Sequence, residues 1–268
     1  MAQNDASFVG SIPELYDVNV GPTFMVPYAS DMADRLSYLQ TGRLLELAAG
    51  TGIVTAALAA ALPRVEITAT DLNQPMLDRA STKPELRRVQ FRQADALDLT
   101  FDDSSFDVVV CQFGVMFFPD KPAAVREARR VLRPGGHFVF NVWDSVDENA
   151  IVAALLSGLH RWRPDQPSWF MERTPCGYCD PAIIRADLAA GGFSDCRIEK
   201  VVLCGHAASP MAIALGLCQG SPMRAEIEAL DPTGLQEATQ AAADAIGESF
   251  GDGAFDTSLS ALVIETRR

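Results

Sequence analysis

Short apolar runs alternate with helix-type patterns along the first half of the chain. Five of these runs predict β-strands, at residues 43–47, 65–70, 88–92, 106–112 and 136–142. The segments between them predict helices at residues 53–62, 74–81 and 121–132. Strands that alternate with helices in this way predict a parallel sheet whose crossover connections are right-handed.

The spacing of apolar positions changes on either side of this region. Before it, Ile12–Leu39 predicts two helices with interruptions at Gly21-Pro22 and at Pro27. After Asp144 the pattern predicts, in order, a helix at 148–159, a proline-rich passage at 164–175, a helix at 181–190, a strand near 196–204, helices at 210–218, 222–229 and 234–249, and a last strand at 258–266. No internal repeat or low-complexity linker divides the chain.

Composition limits the possible partners. The 268 residues include 48% hydrophobic residues, enough for a large core, and the formal net charge is −13. Nucleic acids and anionic membranes are therefore not expected as partners, because phosphate contacts need clustered basic residues. Residues 1–10 contain neither a basic start nor an apolar run, and no stretch is long enough to span a bilayer, so we expect a cytoplasmic protein without membrane insertion.

The six cysteines are irregularly spaced, which favours reduced thiols over a disulfide framework. Cys176 and Cys179 form C-G-Y-C, a spacing found in redox pairs and in half of some zinc sites. No second C-x-x-C or histidine pair supplies further ligands, so the sequence favours ordinary structural cysteines and no metal is expected.

The segment from Leu44 to Gly52 carries the strongest chemical signal. It is an apolar strand that reaches Glu46 and then a small-residue turn, after which a helix begins near Ile53. The next strand ends in Asp71, so two strands each bring a carboxylate to the ligand-binding edge of a parallel sheet. Glycines let a ligand approach the backbone, and helix N–H groups face it. This pattern indicates a nucleoside pocket.

The spacing in the turn leaves two kinds of nucleotide open. A dinucleotide fingerprint has a third glycine or alanine three residues after the second glycine, and here that position is Thr55. The match to G-x-G-x-x-G is therefore imperfect, and E-x-A-x-G-T-G, beginning at Glu46, fits the residues better.

Four ordered segments resemble the class I S-adenosylmethionine-dependent methyltransferases, in particular the branch with the ubiquinone/menaquinone C-methyltransferases. They are L-E-L-A-A-G-T-G at 45–52, A-T-D-L-N at 69–73, Q-A-D-A at 93–96, and F-D-V-V-V-C-Q-F-G followed by V-L-R-P-G-G-H-F-V-F. The resemblance implies a Rossmann-like, doubly wound sheet of seven strands with the last antiparallel, plus a helical lid and insertions.

The resemblance to these methyltransferases also implies a single domain over residues 1–268. Its expected parts are lid helices at 1–40, a cofactor-binding core at 41–144, completion of that core at 145–205, a helical insert at 206–257 and the final strand at 258–268.

Candidate cofactor contacts follow from what each part of S-adenosylmethionine needs. Asp71 is expected to accept from the ribose diol, or else to cap the next helix. Leu72 and Met76 are expected to cover adenine, although a methionine at helical spacing is commonly a core residue. The resemblance assigns Asp95 and Ala96 to the adenine edge, and the alternative for Asp95 is an acid of a solvated turn. An unpaired carboxylate in an apolar strand is costly, so Glu46 is expected to have partners. The resemblance places it beneath the turn, hydrogen-bonded to backbone N–H groups.

The turn and the methionyl end supply the other candidates. Thr51 is expected to bind the methionyl carboxylate or cap the helix, Gln112 to bind the amino group, and Phe113 to offer a π face to the sulfonium or simply pack in the core. The remaining cofactor candidates are Ala48, Gly50 and Gly52 of the turn, Tyr16 of the expected lid, and Arg43, which opens the first strand.

Apolar residues near the ends of the fourth and fifth strands indicate an acceptor pocket. The predicted substrate-binding residues are Tyr28, Met116, Phe117, Asn141 and Trp143. His160 and His206 are possible bases, but lone histidines are mostly structural, and no general base is assigned.

The sequence thus predicts methyl transfer from S-adenosylmethionine, with S-adenosylhomocysteine as product, to a small, mainly apolar acceptor by direct displacement. Two alternatives stay open: an NAD(P)-dependent oxidoreductase on a related sheet, and a cofactor-binding regulatory protein without turnover. The acceptor's identity, the atom methylated and the oligomeric state are not determined by the sequence.

Overall fold

The computed structural model describes Phe8, Gly10 and residues 12–268. Seven strands form one sheet in the order β3-β2-β1-β4-β5-β7-β6. They are β1 Gly42–Glu46, β2 Val65–Asp71, β3 Gln90–Gln93, β4 Phe106–Gln112, β5 Leu132–Trp143, β6 Cys196–Ala207 and β7 Phe255–Arg267. Strands β1 to β5 pair in parallel, and β7 pairs antiparallel with β5. The predicted Rossmann-like fold with a last antiparallel strand is confirmed.

Most helices match the predicted segments closely; the short helix Phe170–Arg173 lies in the proline-rich passage and was not predicted. The helices are α1 Ile12–Leu15, α2 Val26–Arg35, α3 Ile53–Ala61, α4 Gln74–Ser81, α5 Lys121–Val131, α6 Ala150–Trp162, α7 Phe170–Arg173, α8 Pro181–Ala190, α9 Pro210–Gln219, α10 Met223–Leu230 and α11 Leu235–Phe250. Short 3₁₀ turns at Pro84–Leu86, Val115–Phe117 and Val146–Glu148 were not predicted. None of the described helices combines the length and apolarity needed to cross a bilayer.

The amino-terminal region differs from the two interrupted helices that the sequence predicts. Helical backbone runs from α1 through a π-helical segment, Tyr16–Met25, directly into α2. Pro22 lies inside the π-helical segment and Pro27 is the second residue of α2, so neither proline ends the helical backbone. Residues 1–7, 9 and 11 of the expected lid lie outside the described part of the chain.

The chain divides into two units. The first comprises Met1–Pro27, Asp144–Gly177 and Val202–Ser260, and the second comprises Tyr28–Trp143, Tyr178–Val201 and Ala261–Arg268. In the first unit α11 packs against α6 and α9. The single domain implied by the resemblance stays a prediction.

The second unit holds the central strands and their core. Apolar side chains from one face of the sheet pack against α2 and α3; those from the strands are Leu44, Ile67, Val108, Val110, Val139 and Val263. Arg35 at the end of α2 binds Asp31, Glu199 and Glu265, which fixes this helix to β6 and β7. Strands β1, β2, β4 and β5 are therefore held by a tightly packed core, which fixes the positions of their carboxyl ends.

Candidate active site

The turn after β1 is tied to the end of β2 through Asp71. Its Oδ2 accepts a hydrogen bond from the Gly50 N–H at 2.9 Å, and its Oδ1 accepts one from the Asn73 N–H at 2.8 Å. Burial raises the pKa of Asp71, and these hydrogen bonds act against that shift. Each carboxylate oxygen has two lone pairs, so the geometry still leaves capacity for a ribose hydroxyl. The ribose contact stays a prediction.

Several N–H groups of the turn are used within the protein. The N–H of Ala49 donates to Thr70 O, that of Gly52 donates to Ala49 O, and that of Gly50 donates to Asp71. These three donors of the turn are therefore already engaged inside the protein, and the expectation that N–H groups of the helix from Ile53 face a ligand stays a prediction. Gly52, rather than Thr51, occupies the N-cap position of α3, and Thr51 is buried.

The two glycines of the turn have different roles. Both have positive φ, +57° at Gly50 and +81° at Gly52. A β-carbon at Gly52 would lie 2.7 Å from Leu86 Cδ1 and 3.0 Å from Ala80 Cβ, so Gly52 is needed for packing against α4 and the following 3₁₀ turn. At Gly50 the nearest atom would be the Met76 methyl at 3.9 Å, which leaves room for a close ligand.

Ala48 and Phe113 have positive φ although neither is glycine. Both have φ of +51°. Left-handed backbone is costly for residues with a β-carbon and concentrates at functional sites. Both residues follow strand ends that the sequence assigned to the cofactor site, and Gly114 lies against them: its β-carbon would be 2.6 Å from Ala48 Cβ and from Cys111 Sγ.

Glu46 is a buried acid at the end of β1. It is 1% exposed, and its Oε2 has no hydrogen-bond partner among the described residues. The predicted hydrogen bonds from backbone N–H groups to this oxygen are therefore not present. Burial and, to a smaller extent, the charge of Asp71 raise the pKa of Glu46 to about 8, and the Thr55 hydroxyl opposes the shift.

Cys111 lies close to both acids. Its thiol is fully buried, and burial raises its pKa well above the ordinary value, with Glu46 and Asp71 adding to the shift. The sequence analysis did not single out this thiol or Thr55 as neighbours of Glu46. The only available signal was their position, at the end of β4 and in the first turn of α3.

The adenine candidates lie beside β2 and β3. Leu72 follows Asp71 with its side chain exposed, while Met76 is buried in α4. The Leu72 carbonyl accepts a hydrogen bond from the Gln93 side chain at 2.8 Å, which holds the backbone at this point. Asp95 is exposed, and its Oδ1 accepts the Leu97 N–H at 2.9 Å, whereas Ala96 is buried.

Three aromatic side chains meet near the carboxyl ends of β4 and β5; we call Tyr28, Phe113 and Trp143 the aromatic triad. The rings of Phe113 and Trp143 stack with centroids 3.7 Å apart and planes at 4°. Tyr28 meets both rings edge-on, at 5.1 and 5.5 Å, and its hydroxyl donates to Val201 O at 3.0 Å. All three side chains are buried, so the triad is a tightly packed apolar cluster.

Asn141 holds Phe113 in its unusual conformation. The Phe113 N–H donates to Asn141 Oδ1 at 2.9 Å and to the Asn141 carbonyl at 3.1 Å. Asn141 is fully buried, and its Nδ2 has no partner among the described residues. Asn141 was predicted as part of the acceptor pocket, and its contact with Phe113 was not predicted from the sequence.

The other candidates fall into three groups. Gln112 and Met116 are both buried, and each lies within three residues of Phe113 in the sequence. Phe117 is half-buried. Arg43 is separate: it lies at the amino end of β1, 3.8 Å from Glu66 and with its guanidinium 5.0 Å from the Phe106 ring centre. Because the predicted pocket lies at the opposite end of the strand, this geometry argues against Arg43 as a cofactor ligand. Tyr16 lies in the π-helical segment of the first unit.

Neither His160 nor His206 gains support as a base. His206 lies on β6, near its end, is exposed, and its Nδ1 lies 2.8 Å from Asp256, while His160 lies 3.7 Å from Glu172. Both pairs are within the first unit. Surface contacts of this kind contribute little to stability.

Comparisons with known proteins agree with this geometry. Residues 45–140 match a family model described as a methyltransferase domain. A demethylmenaquinone methyltransferase of Thermus thermophilus is 34% identical over 171 residues, covering 57% of this chain and 74% of the relative. One of Deinococcus radiodurans is 40% identical over 99 residues, covering 36% of this chain and only 41% of that relative.

The fold also matches solved structures. The YcgJ protein of Bacillus subtilis superposes with a TM-score of 0.57 and 22% identity, and the match covers 90% of this chain and 98% of that one. This likeness supports the fold alone.

Proposed function

Because the chain belongs to the class I S-adenosylmethionine-dependent methyltransferases, we propose that it transfers a methyl group to a small, mainly apolar acceptor by direct in-line displacement. S-adenosylmethionine is the methyl donor of this family. The observation that carries the choice of acceptor is the aromatic triad, which presents stacked apolar rings near the ends of β4 and β5.

The residues at the strand ends fit this cofactor. Glu46 has a buried oxygen without a partner, which suits a ligand that carries positive charge. The space beside Gly50 admits a group close to the backbone. We assign the ribose to Asp71, adenine to Leu72, Met76, Asp95 and Ala96, and the methionyl end to Glu46, Thr51, Gln112 and Phe113.

The bound cofactor supplies an electrophilic methyl group on a sulfonium. The protein's task is to align the acceptor with that methyl group and to exclude water. The Asp71–Gly50 hydrogen bond fixes the turn, Asn141 fixes Phe113, and the triad offers a rigid wall against which a flat acceptor packs. A hydroquinone or catechol acceptor loses one proton as the new bond to the methyl group forms; this proton passes to the solvent buffer, and no side chain is assigned as a general base.

The relatives suggest the shape of the acceptor. The Thermus and Deinococcus proteins are demethylmenaquinone methyltransferases by name. Offset-stacked or edge-on packing against aromatic rings favours planar apolar molecules over charged amines. We therefore favour a planar ring bearing oxygen substituents as the acceptor of this chain.

Labelled methyl transfer tests the proposal. The protein is mixed with tritium-labelled S-adenosylmethionine and with a short-chain reduced naphthoquinone, a catechol, histamine or phosphoethanolamine. Transfer to the planar apolar compounds in preference to the two amines supports the proposal. Faster transfer to either amine contradicts the apolar acceptor.

A matched pair of variants separates the triad from general effects of losing a tryptophan. Trp143→Ala removes the ring that stacks on Phe113, whereas Trp162→Ala removes a half-buried ring of the first unit. Trp143→Ala is expected to reduce kcat/KM for the ring acceptor by about tenfold or more, consistent with the loss of one aromatic contact. Trp162→Ala is expected to leave this ratio within about twofold, since its ring contacts Arg163, Trp169 and Glu237 of its own unit.

The two alternatives are tested in the same assay. Family membership does not favour an NAD(P)-dependent oxidoreductase, and NADH fluorescence is expected to stay unchanged on mixing. A regulatory protein without turnover would bind S-adenosylmethionine and transfer no methyl group to any compound of the panel.

A further inference from the structure

The ends of β1 and β2 carry a pair of buried acids without a basic partner. Glu46 is 1% exposed and Asp71 is 7% exposed. Across the part of the chain that the structure describes, neither makes an ion pair with a lysine, arginine or histidine. Two carboxylates that share a buried region cannot both ionise cheaply, so one of them is held protonated.

The contacts of the two acids decide which one carries the proton. Asp71 accepts two backbone N–H groups, and such hydrogen bonds favour the ionised form. Glu46 has an oxygen with no partner, and burial raises the pKa of Glu46 to about 8. Glu46 is therefore the neutral member of the pair at pH 7.

The groups that face Glu46 do not change this assignment. Asp71 faces it from β2, Cys111 from β4 and Thr55 from α3. Burial keeps the Cys111 thiol neutral, because it raises the pKa of that thiol far above 7. The negative charge of Asp71 also favours the neutral form of Glu46.

We propose that binding of S-adenosylmethionine expels the proton of Glu46, which changes from a neutral acid into a counter-ion of the ligand's positive charges. The O–H bond of Glu46 breaks, its electrons stay on the carboxylate, and the proton passes to the solvent buffer. The inference rests on the proposed function, since it takes the methyl donor as the ligand of this site.

Calorimetry measures the released proton directly. The protein is titrated with S-adenosylmethionine at pH 7.0 in phosphate and in Tris, whose ionisation enthalpies differ, and the difference in observed enthalpy gives the number of protons exchanged. A group with a pKa of about 8 is protonated in about nine of ten molecules at pH 7. The wild-type protein is therefore expected to release close to one proton.

The decisive quantity is the difference between the wild-type protein and Glu46→Gln, because the ligand's own amino group also exchanges protons. Glutamine keeps the shape of the side chain but has no proton to lose in this range. The difference is expected to be close to one proton. Glu66→Gln, which changes an exposed acid on β2, is expected to release as many protons as the wild type.

A second ligand tests whether the positive charge of the ligand, rather than its adenosine group, causes the proton release. Methylthioadenosine carries the adenosine group and the sulfur but neither the sulfonium nor the amino-acid end, so it has no positive charge at pH 7. It is expected to bind the wild-type protein without the release of the Glu46 proton.

The pH dependence of affinity gives an independent reading. If the ligand binds the ionised form of Glu46, the Kd for S-adenosylmethionine falls about tenfold as pH rises from 6 to 7 and levels off above about 8. The same series with Glu46→Gln is expected to lack this fall.

The outcomes separate the inference from the function on which it rests. Equal proton release by the wild type and Glu46→Gln, or release of a proton on methylthioadenosine binding, overturns the inference while leaving the methyltransferase function intact. A wild-type protein that binds neither S-adenosylmethionine nor S-adenosylhomocysteine overturns the proposed function itself.

Discussion

Asp71 Oδ2 accepts a hydrogen bond from the backbone N–H of Gly50, with 2.9 Å between the two atoms. This contact joins the acid at the end of β2 to the turn that follows β1, 21 residues earlier in the chain. The same carboxylate accepts the Asn73 N–H before α4. One side chain therefore fixes the turn and the loop that together enclose the expected adenosyl group.

The Asp71 contacts predict a graded response to substitution. Asp71→Ala removes both hydrogen bonds and is expected to lower the free energy of unfolding by about 1.5–3 kcal/mol, the range for hydrogen bonds to a charged group. Asp71→Asn keeps an oxygen acceptor for one of the two N–H groups and is expected to lose less. Urea unfolding measures the stability, and calorimetry with S-adenosylmethionine measures binding, which Asp71→Ala is expected to abolish.

Equal stability of Asp71→Ala and the wild type would contradict this account of the turn. Asp95→Asn is the control, because Asp95 is exposed and accepts one N–H within its own loop. It is expected to change the free energy of unfolding by less than about 1 kcal/mol.

The sequence predicted the sheet and most helices because their signals are local. The apolar run of β4 and the alanine-rich segment of α3 lie within about three residues of their predicted bounds. The packing role of Gly52 was not predicted, because it depends on Leu86 and Ala80, which are distant in sequence. Sequence shows that a glycine is present but not which side chain would meet its β-carbon.

The site was predicted as a set of residues, and the contacts between them were not. The sequence marks Asp71, Gly50, Asn141 and Phe113 as candidates. It does not show that Asp71 uses the Gly50 N–H or that Asn141 uses the Phe113 N–H, because these pairs are 21 and 28 residues apart. The π-helical segment was also not predicted, since Pro22 suggests an interruption in any helical pattern.

The raised pKa of Glu46 predicts that the free energy of unfolding depends on pH. Its pKa is raised to about 8 in the folded protein, from about 4.5 in the unfolded chain. Between these two values the folded protein holds a proton that the unfolded chain has lost. The folded state is therefore favoured fully below pH 4.5 and loses this contribution as pH rises towards 8, by about 1.4 kcal/mol per pH unit.

Comparison with Glu46→Gln isolates this effect, because glutamine does not titrate. The stability of the variant relative to the wild type is expected to increase from pH 5 to pH 8, as measured by urea unfolding at each pH. Parallel pH profiles for the two proteins would show that Glu46 is ionised in the folded protein.

The backbone at Gly114 lies so close to Ala48 and Cys111 that a residue with a β-carbon does not fit there without a shift. A β-carbon there would lie 2.6 Å from Ala48 Cβ and from Cys111 Sγ, so one of them must move. Gly114→Ala is expected to cost about 1–3 kcal/mol, the range for overpacking, and to weaken S-adenosylmethionine binding through displacement of the Ala48 turn. Gly253→Ala, where nothing lies within 4 Å, is the matched control and is expected to be tolerated.

Two buried asparagines predict different costs for the same substitution. Asn149 uses its whole amide: Nδ2 donates to the Asp144, Ser145 and Ser260 carbonyls, and Oδ1 accepts the Ser260 N–H. Asn141 uses only Oδ1, and the Phe113 N–H that it binds keeps a second acceptor in the Asn141 carbonyl. Asn149→Ala therefore leaves more buried groups unpaired than Asn141→Ala does.

We expect Asn149→Ala to lower the free energy of unfolding by at least about 1 kcal/mol more than Asn141→Ala, because each unpaired buried group costs about 1–3 kcal/mol. Methyl transfer is expected to show the reverse order, since Asn141 holds the Phe113 ring that stacks on Trp143. Urea unfolding and kcat/KM measured on the same two variants check both orders. If Asn141→Ala were the more destabilised variant and kept full activity, the amide would serve the core rather than the site.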